Sequence, residues 1–304
     1  MRAAVRAGAA GTIATAVLVP LLRRRARIKA PVTVAACAAG PLALAVLRPR
    51  TPRRDVALFA LQMWGFTMAH ELPFDDPERL RDRLLTRYPI AIDRRIGLGK
   101  LPSARLQRAL ARLPRGGPLD RFLTWVHWLW FFEPYLALLF ILIRHPQRFP
   151  RAARQLAAVF DIGCAVYFLA PTAPPWWSSE QGIAGEEVRR IMVPVGERTW
   201  GRAWPTLYGT LGSNPWAAMP SLHFATSAMA AILLAEGGPV QGAAGWGYAL
   251  TLGFALVYLG EHYVTDLAAG AALVAVVRRG EPLAEPLVLA VNRGLQRLER
   301  LATG

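Results

Sequence analysis

Cysteine, lysine and histidine are all scarce in this chain. Cys37 and Cys164 are the only cysteines in 304 residues, and both sit inside apolar runs without metal-ligand spacing. That excludes a disulfide framework and a cysteine zinc site. Lys29 and Lys100 are the only lysines among 36 Lys+Arg, so arginine carries nearly all the cationic charge behind a net +16. Basic chains pair with nucleic acid or with anionic lipid. No recognisable nucleic-acid module accompanies these arginines, and they lie between apolar runs, so lipid headgroups are the expected partner. Internal repeats, low-complexity segments and a separate soluble domain are missing as well.

Apolar residues are what the chain has in excess. They make up 54% of it, and the mean hydropathy is positive. That is too apolar for an ordinary soluble domain and suits several membrane spans in one bundle. The expected fold is an all-α, polytopic integral membrane bundle. Apolar runs predict spans over 3–21, 30–47, 55–72, 122–143, 152–170, 217–235, 243–259 and 264–278, eight in all. Several are at or below the roughly 20 residues that a bilayer requires. The first run, flanked by Arg2, Arg6 and "RRRAR", has the look of a signal peptide. No A-x-A site followed by a soluble domain appears, so residues 1–54 are read as a membrane hairpin. The expected catalytic domain is 55–280, and 281–304 is a basic tail.

A long polar insert, 73–121, separates the third and fourth spans. "DDPERLRDRLLTRY" offers Asp76 as an N-cap and Pro77 at the first helical position, with Leu80, Leu84 and Tyr88 on one face. "PSARLQRALARLP" sets Leu106, Leu110 and Leu113 against Arg105, Arg108 and Arg112. Such basic amphipathic helices either lie on the membrane surface or pack on the protein's own face. The loop 171–216 carries Trp176, Trp177, Trp200, Trp204 and Trp216, as expected of a headgroup-level segment. Arg144, Arg148, Arg151 and Arg154 mark one connection as cytoplasmic, as do Arg278 and Arg279 beyond the last span. The expected setting is the plasma membrane, with the Trp-rich loop on the extracytoplasmic side. "RRRARIK" and the basic insert then also fall outside, which long surface-bound segments tolerate.

Two of the five histidines stand at the ends of spans, in "AMPSLHFATS" and "YLGEHYVTDLAAG". On this topology His223 opens the sixth span. His262 and Asp266, four residues apart, share one helix face at the start of the eighth. Ionisable groups at such depth are costly and read as functional. Two imidazoles and a carboxylate suit phosphoryl transfer through a covalent enzyme. One imidazole attacks phosphorus, the carboxylate fixes its tautomer, and the other protonates the leaving alkoxide. Ser221 is a candidate cap for the sixth span, whose first N–H groups face phosphate oxygens. A zinc site built from two His and one Asp is the competing chemistry, but no second-shell partners are recognisable.

"PSLH" followed by "EHYVTD", with "PTAPPW" at 171–176, resembles the type 2 phosphatidic acid phosphatase superfamily, specifically its inositol phosphorylceramide synthase-like branch. The match covers roughly residues 122–280. It implies a six-helix core, catalysis without metal or other cofactor, His262 as nucleophile, Asp266 as its orienting partner and His223 as acid. The substrate implied is a membrane phospholipid or lipid phosphate, and the acceptor is water, inositol or a sugar. Two family features are absent. No Lys precedes an Arg-Pro by six residues ahead of the second motif, and Ala255 and Leu256 stand where the phosphatases carry Ser-Arg. Candidate phosphate-clamping cations are therefore Arg189, Arg190, Arg198 and Arg202 in the outer loop, with Lys100 and Arg105 in the insert. His127 is a candidate to line the substrate cavity. Glu133 and Asp161 are candidates to pair with an arginine or share a proton, with structural polar packing the expected role of each; His70 and Glu71 are expected at the interface. The rival class is a non-catalytic lipid transporter or scaffold whose histidines close a polar network.

Overall fold

The computed structural model describes residues 2–211 and 214–303. Positions 212–213 of the expected outer loop and the end residues 1 and 304 lie outside the described residues. The chain is all-helical, and its only β pairing among the described residues is two isolated bridges. A hairpin of α1 (Arg2–Leu22) and α2 (Ala30–Leu47) leads into α3 (Pro52–Glu71). Three short helices follow, α4 (Pro77–Asp82), α5 (Arg87–Ile96) and α6 (Pro102–Ala109). The bundle continues with α7 (Pro118–Leu129), α8 (Glu133–Arg144) and α9 (Phe149–Leu169). The loop helices α10 (Pro175–Glu180), α11 (Met192–Trp200) and α12 (Trp204–Leu211) precede α13 (Leu222–Ala235), α14 (Pro239–Tyr258) and α15 (Val264–Thr303). Many of these helices begin with proline in the first turn, where its missing N–H costs nothing.

This is a polytopic membrane protein. Among the described residues α1, α2, α9 and α14 are long and apolar enough to cross a bilayer, and α7 with α8 forms one broken span bent by 54°. The expected continuous span 122–143 is therefore kinked. Pro134 lacks the N–H that would bond the Trp130 carbonyl, and its ring crowds that carbonyl, so the helix restarts at Glu133. The expected span 217–235 starts only at Leu222, because Ala217 is held in a bridge to Thr172, residues 219–220 form a bend, and Ser221 caps the helix by accepting from the Phe224 N–H. Helix α13 is thus 14 residues long.

Beyond the eighth predicted span the chain does not become a loose tail. Helix α15 runs unbroken for 40 residues through Pro282 and Pro286. The helix packs against α2 and α1, and near its far end Glu299 pairs with Arg54 of α3 and Ala302 is buried. The core collects Met63 of α3, Leu138 and Ile141 of α8, Phe160 of α9 and Met229 of α13. Helices α13 and α14 approach closely because Gly245 has no side chain; a Cβ there would lie 2.7 Å from the Ala231 Cα.

The insert makes contacts with the protein's own bundle, as one of the two alternatives has it. Asp76 caps α4 as expected. That helix ends at Asp82 rather than continuing to Tyr88, because the Leu85 backbone is diverted to Pro171 and Ala173. Helix α6 ends at Ala109, short of the expected Leu113, and its buried positions are Ser103, Ala104 and Gln107 rather than the leucine stripe. Leu106 and Leu110 are half-buried against α7 and α14, and Leu113 is exposed.

The bundle has two unlike ends. At one, Arg148, Arg151 and Arg278 converge on Glu236, and Arg151 with Gln155 also holds Glu281. The other end carries the histidines and the insert. The "RRRARIK" segment lies at this histidine end, where buried Arg23 pairs with Glu71 and Asp75, and Arg24 with Asp75. Burial favours the neutral form of Asp75, but the bonds from Arg23 and Arg24 outweigh it and hold the carboxyl below the usual range.

Candidate active site

Three loops are sewn together before any catalytic group is placed. Thr172 of the "PTAPPW" stretch bridges Leu85 of the insert on one side and Ala217 on the other. Its hydroxyl meets the Tyr88 phenol at 2.9 Å. Burial pushes that phenol up to about 12, against the pull of the Thr172 bond, so Tyr88 keeps its proton at neutral pH. Trp176 donates its backbone N–H to Gly260, which turns α14 into α15 at φ +81°. A Cβ at Gly260 would lie 2.8 Å from the Arg189 carbonyl oxygen, so the turn tolerates only glycine.

The starts of α13 and α15 are then locked to each other. The Tyr167 hydroxyl donates to the Pro220 carbonyl at 2.8 Å, and the Ser221 N–H donates to the Asp266 carbonyl at 3.0 Å. Close approach requires Gly270, where a Cβ would lie 2.8 Å from the Ser221 oxygen. From the insert, the Asp93 carboxylate accepts from the Val264 and Thr265 N–H groups and the Thr265 hydroxyl, capping α15. Gln107 of α6 spans the Arg189 and Tyr258 carbonyls. The insert therefore clasps the helix that carries His262 and Asp266.

The result is a linear relay. His223 Nδ1 lies 3.2 Å from His262 Nε2, and His262 Nδ1 lies 3.3 Å from Asp266 Oδ2. Asp266 is fully buried, and its Oδ2 also accepts the Tyr263 N–H at 2.9 Å. Its Oδ1 has no partner. The His223 ring is held between two others, with Trp130 at 4.1 Å and His127 stacked at 4.9 Å. Trp130 is in turn fixed by donating to the Thr226 hydroxyl at 2.8 Å.

The relay opens into a cavity of about 320 Å³ that four histidines line, His70, His127, His223 and His262. Its remaining walls are mainly aromatic and apolar, including Phe66, Trp128, Tyr135 and Phe160. Glu71 and Glu261 also reach it. Arg190 is the only arginine or lysine among its described lining residues. That guanidinium forms a bidentate pair with Glu261 at 3.0 and 3.3 Å and stacks 3.8 Å over Trp176.

The sequence-derived candidates separate accordingly. His223, His262 and Asp266 come together, and Ser221 caps α13 beneath them. Of the candidate cations only Arg190 lines the cavity. Arg189 is held through its backbone to Gln107. Arg198 is exposed and reaches the Arg115 carbonyl, while Arg202 and Lys100 are exposed elsewhere. Arg105 folds back on Gly97. Glu133 accepts from Ser227, and Asp161 accepts from Gln62 beside a second, larger cavity among α2, α3, α9 and α15. Sequence reasoning missed His70 as a cavity residue and missed the capping role of Asp93. His70 carried a usable signal, an imidazole four residues from Phe66 on the same helix face. Asp93 carried none, since its partners lie 171 and 172 residues away.

Among the described residues no three His, Cys, Asp or Glu side chains form a metal-binding group. Residues 90–278, more than half of the chain, match the sequence model of the PAP2 superfamily. No curated protein and no solved structure matches the chain.

Proposed function

The chain belongs to the PAP2 superfamily, and from that premise we propose that it is a membrane-embedded lipid phosphatase or phosphotransferase working through a phosphohistidine. One observation carries the reading, the Asp266–His262–His223 relay opening into an aromatic-walled cavity. With Nδ1–H of His262 given to Asp266, its Nε2 keeps a lone pair, and His223 Nδ1 donates to it across 3.2 Å. In this resting arrangement acid and nucleophile occupy each other. A lipid phosphate enters by parting the two rings, so that phosphorus faces Nε2 and the ester oxygen faces His223.

In the first step the Nε2–P bond forms as the P–O bond to the lipid breaks. His223, protonated on both nitrogens while the anionic substrate is bound, gives its Nδ1 proton to the departing oxygen. In the second step water or an alcohol attacks phosphorus, the neutral His223 takes its proton, and the N–P bond breaks. Water yields a phosphatase; an alcohol such as inositol or a sugar hydroxyl yields a transferase. The "PSLH" and "HYVTD" pattern, similar to the inositol phosphorylceramide synthase-like branch, favours transfer. Arg190 and the capped start of α13 supply positive potential to the phosphate. The setting is the plasma membrane with the histidine end outward, supported by the arginines of the 144–154 connection and of Arg278 and Arg279.

The deciding experiment incubates the purified protein in lipid nanodiscs with phosphate-labelled phosphatidic acid and phosphatidylinositol, with and without free inositol. Released inorganic phosphate identifies a phosphatase, and label on a new headgroup identifies a transferase. No turnover of either lipid overturns the enzymatic reading in favour of a lipid transporter or scaffold.

A further inference from the structure

Two imidazoles in the cavity, His70 and His127, have no part in the two-step scheme, and of these only His127 has a buried, unpartnered ring nitrogen. His127 of α7 is 5% exposed and lines the cavity, with its ring stacked on His223 at 4.9 Å and 30°. Its Nδ1 is buried without a hydrogen-bond partner. A buried polar atom left unpaired is disfavoured, and native interiors avoid it. If the position served only to pack against His223, phenylalanine would stack as well without that penalty, and the surrounding walls are already aromatic.

The cavity is also short of cationic donors for an anion. A phosphoryl group in transfer spreads negative charge over its nonbridging oxygens, and each needs a donor. Arg190 is the one arginine or lysine among the described lining residues, and Glu261 already engages it through both oxygens. His223 and His262 are committed to the leaving oxygen and to phosphorus.

We propose that His127 is a phosphate-oxygen ligand, donating its ring N–H to a nonbridging oxygen of the phosphorus that His262 attacks. This rests on the phosphoryl-transfer reading above. Stacking on His223 fixes the ring plane in advance, so the donor is oriented before substrate arrives. The site thereby uses an imidazole where a clamp of arginines or lysines would otherwise hold the oxygens.

Orthovanadate, a phosphate mimic, is the probe, with equilibrium binding measured on the nanodisc-embedded protein. KM and kcat for nitrophenyl phosphate are measured alongside. His127→Phe keeps the stack and removes the donor; His127→Asn keeps a donor and removes the aromatic ring. The expected result is about ten- to hundredfold weaker vanadate binding in His127→Phe, as for loss of one bond to a charged group. KM should rise in parallel, and His127→Asn should recover part of the affinity. Wild-type affinity in His127→Phe overturns the inference while leaving the proposed function standing. No vanadate binding and no turnover by the wild type overturns both. If His127→Phe does not fold, His127→Leu, which also lacks a donor, replaces it, and wild-type vanadate affinity in that variant likewise overturns the inference.

Discussion

The two ends of the bundle use polar side chains in opposite ways. At the arginine end Glu236 accepts from Arg148, Arg151 and Arg278, and Glu281 accepts from Arg151 and Gln155. At the histidine end Asp266 leaves one oxygen without a partner, and His127 leaves one nitrogen. The first network is closed on itself and holds α9, α13 and α15 in register. The second leaves hydrogen-bonding capacity unused among the described residues. The two clusters differ in whether their bonds are complete, not only in how many charges they contain.

Breaking the histidine end should have the largest effect. His262→Ala removes the nucleophile and should lower turnover of a lipid phosphate by roughly a thousandfold or more. His223→Ala should lose about a hundred- to ten-thousandfold on the same lipid, yet retain most first-step activity on a nitrophenyl ester, whose leaving group needs no proton. Asp266→Asn should fall between them, since a wrong tautomer weakens the nucleophile without removing it. Trapped phosphoprotein should be detectable in His223→Ala with the activated ester and absent in His262→Ala. Equal defects on both substrates would contradict this division of labour.

The ends should also differ in which side of the membrane they face. Ile183→Cys lies in the exposed loop near the site and Gln147→Cys in the arginine-rich connection. An impermeant thiol reagent applied to intact cells should label the first and spare the second. Cys37 and Cys164 are buried and should give little background. The reverse pattern would turn the histidine end to the cytoplasm.

Breaking the arginine end should cost stability and leave chemistry alone. Glu236→Gln removes the negative charge shared by three arginines and one of its two acceptor oxygens, but the carboxylate is 27% exposed and partly screened. A loss of about 1–2 kcal/mol, seen as a lower thermal midpoint with unchanged kcat, is expected. A fall in kcat at constant stability would show that the ends are coupled.

The smallest effect should be at Asp75. Its folded-state carboxyl is held low by Arg23 and Arg24. Its stabilisation is therefore fully present above the unfolded-state value of about 3.9 and lost as pH falls through the folded one. Asp75→Asn should be less stable than the wild type at pH 7 by about 1 kcal/mol. Thermal unfolding at successively lower pH should show the gap closing, and a gap that widens on acidification would refute the assignment.

Local pattern made the meeting of the histidine-bearing helix starts legible and left their surroundings obscure. The "PSLH" and "HYVTD" spacings put His223, His262 and Asp266 on helix starts, and those starts do meet. The N-cap at Asp76 and the hairpin of α1 and α2 were legible for the same reason, since caps and apolar runs act within a few residues. The clasp of the insert was not. Asp93 reads as one more carboxylate in a charged helix until α15 arrives to be capped. Nor did composition distinguish Arg190 from Arg189, because only the turn at Gly260 decides which of two neighbours meets Glu261. The continuation of α15 past Pro282 was hidden too, since the proline signal argues for a break that Arg151, Arg54 and the hairpin prevent.

The shortness of α13 decides where the substrate must travel. Fourteen residues rise about 21 Å, against a hydrocarbon layer about 30 Å thick. A helix of that length cannot touch both faces, and with Glu236 at its far end tied into the arginine network, its capped start with His223 is the end expected to fall short. On the proposed reaction, a lipid bound there would keep its acyl chains in oil, and the solvation cost would fall on the small polar partner. Water or an acceptor alcohol would have to descend to the phosphorus, and the depth of the well would filter acceptors by size.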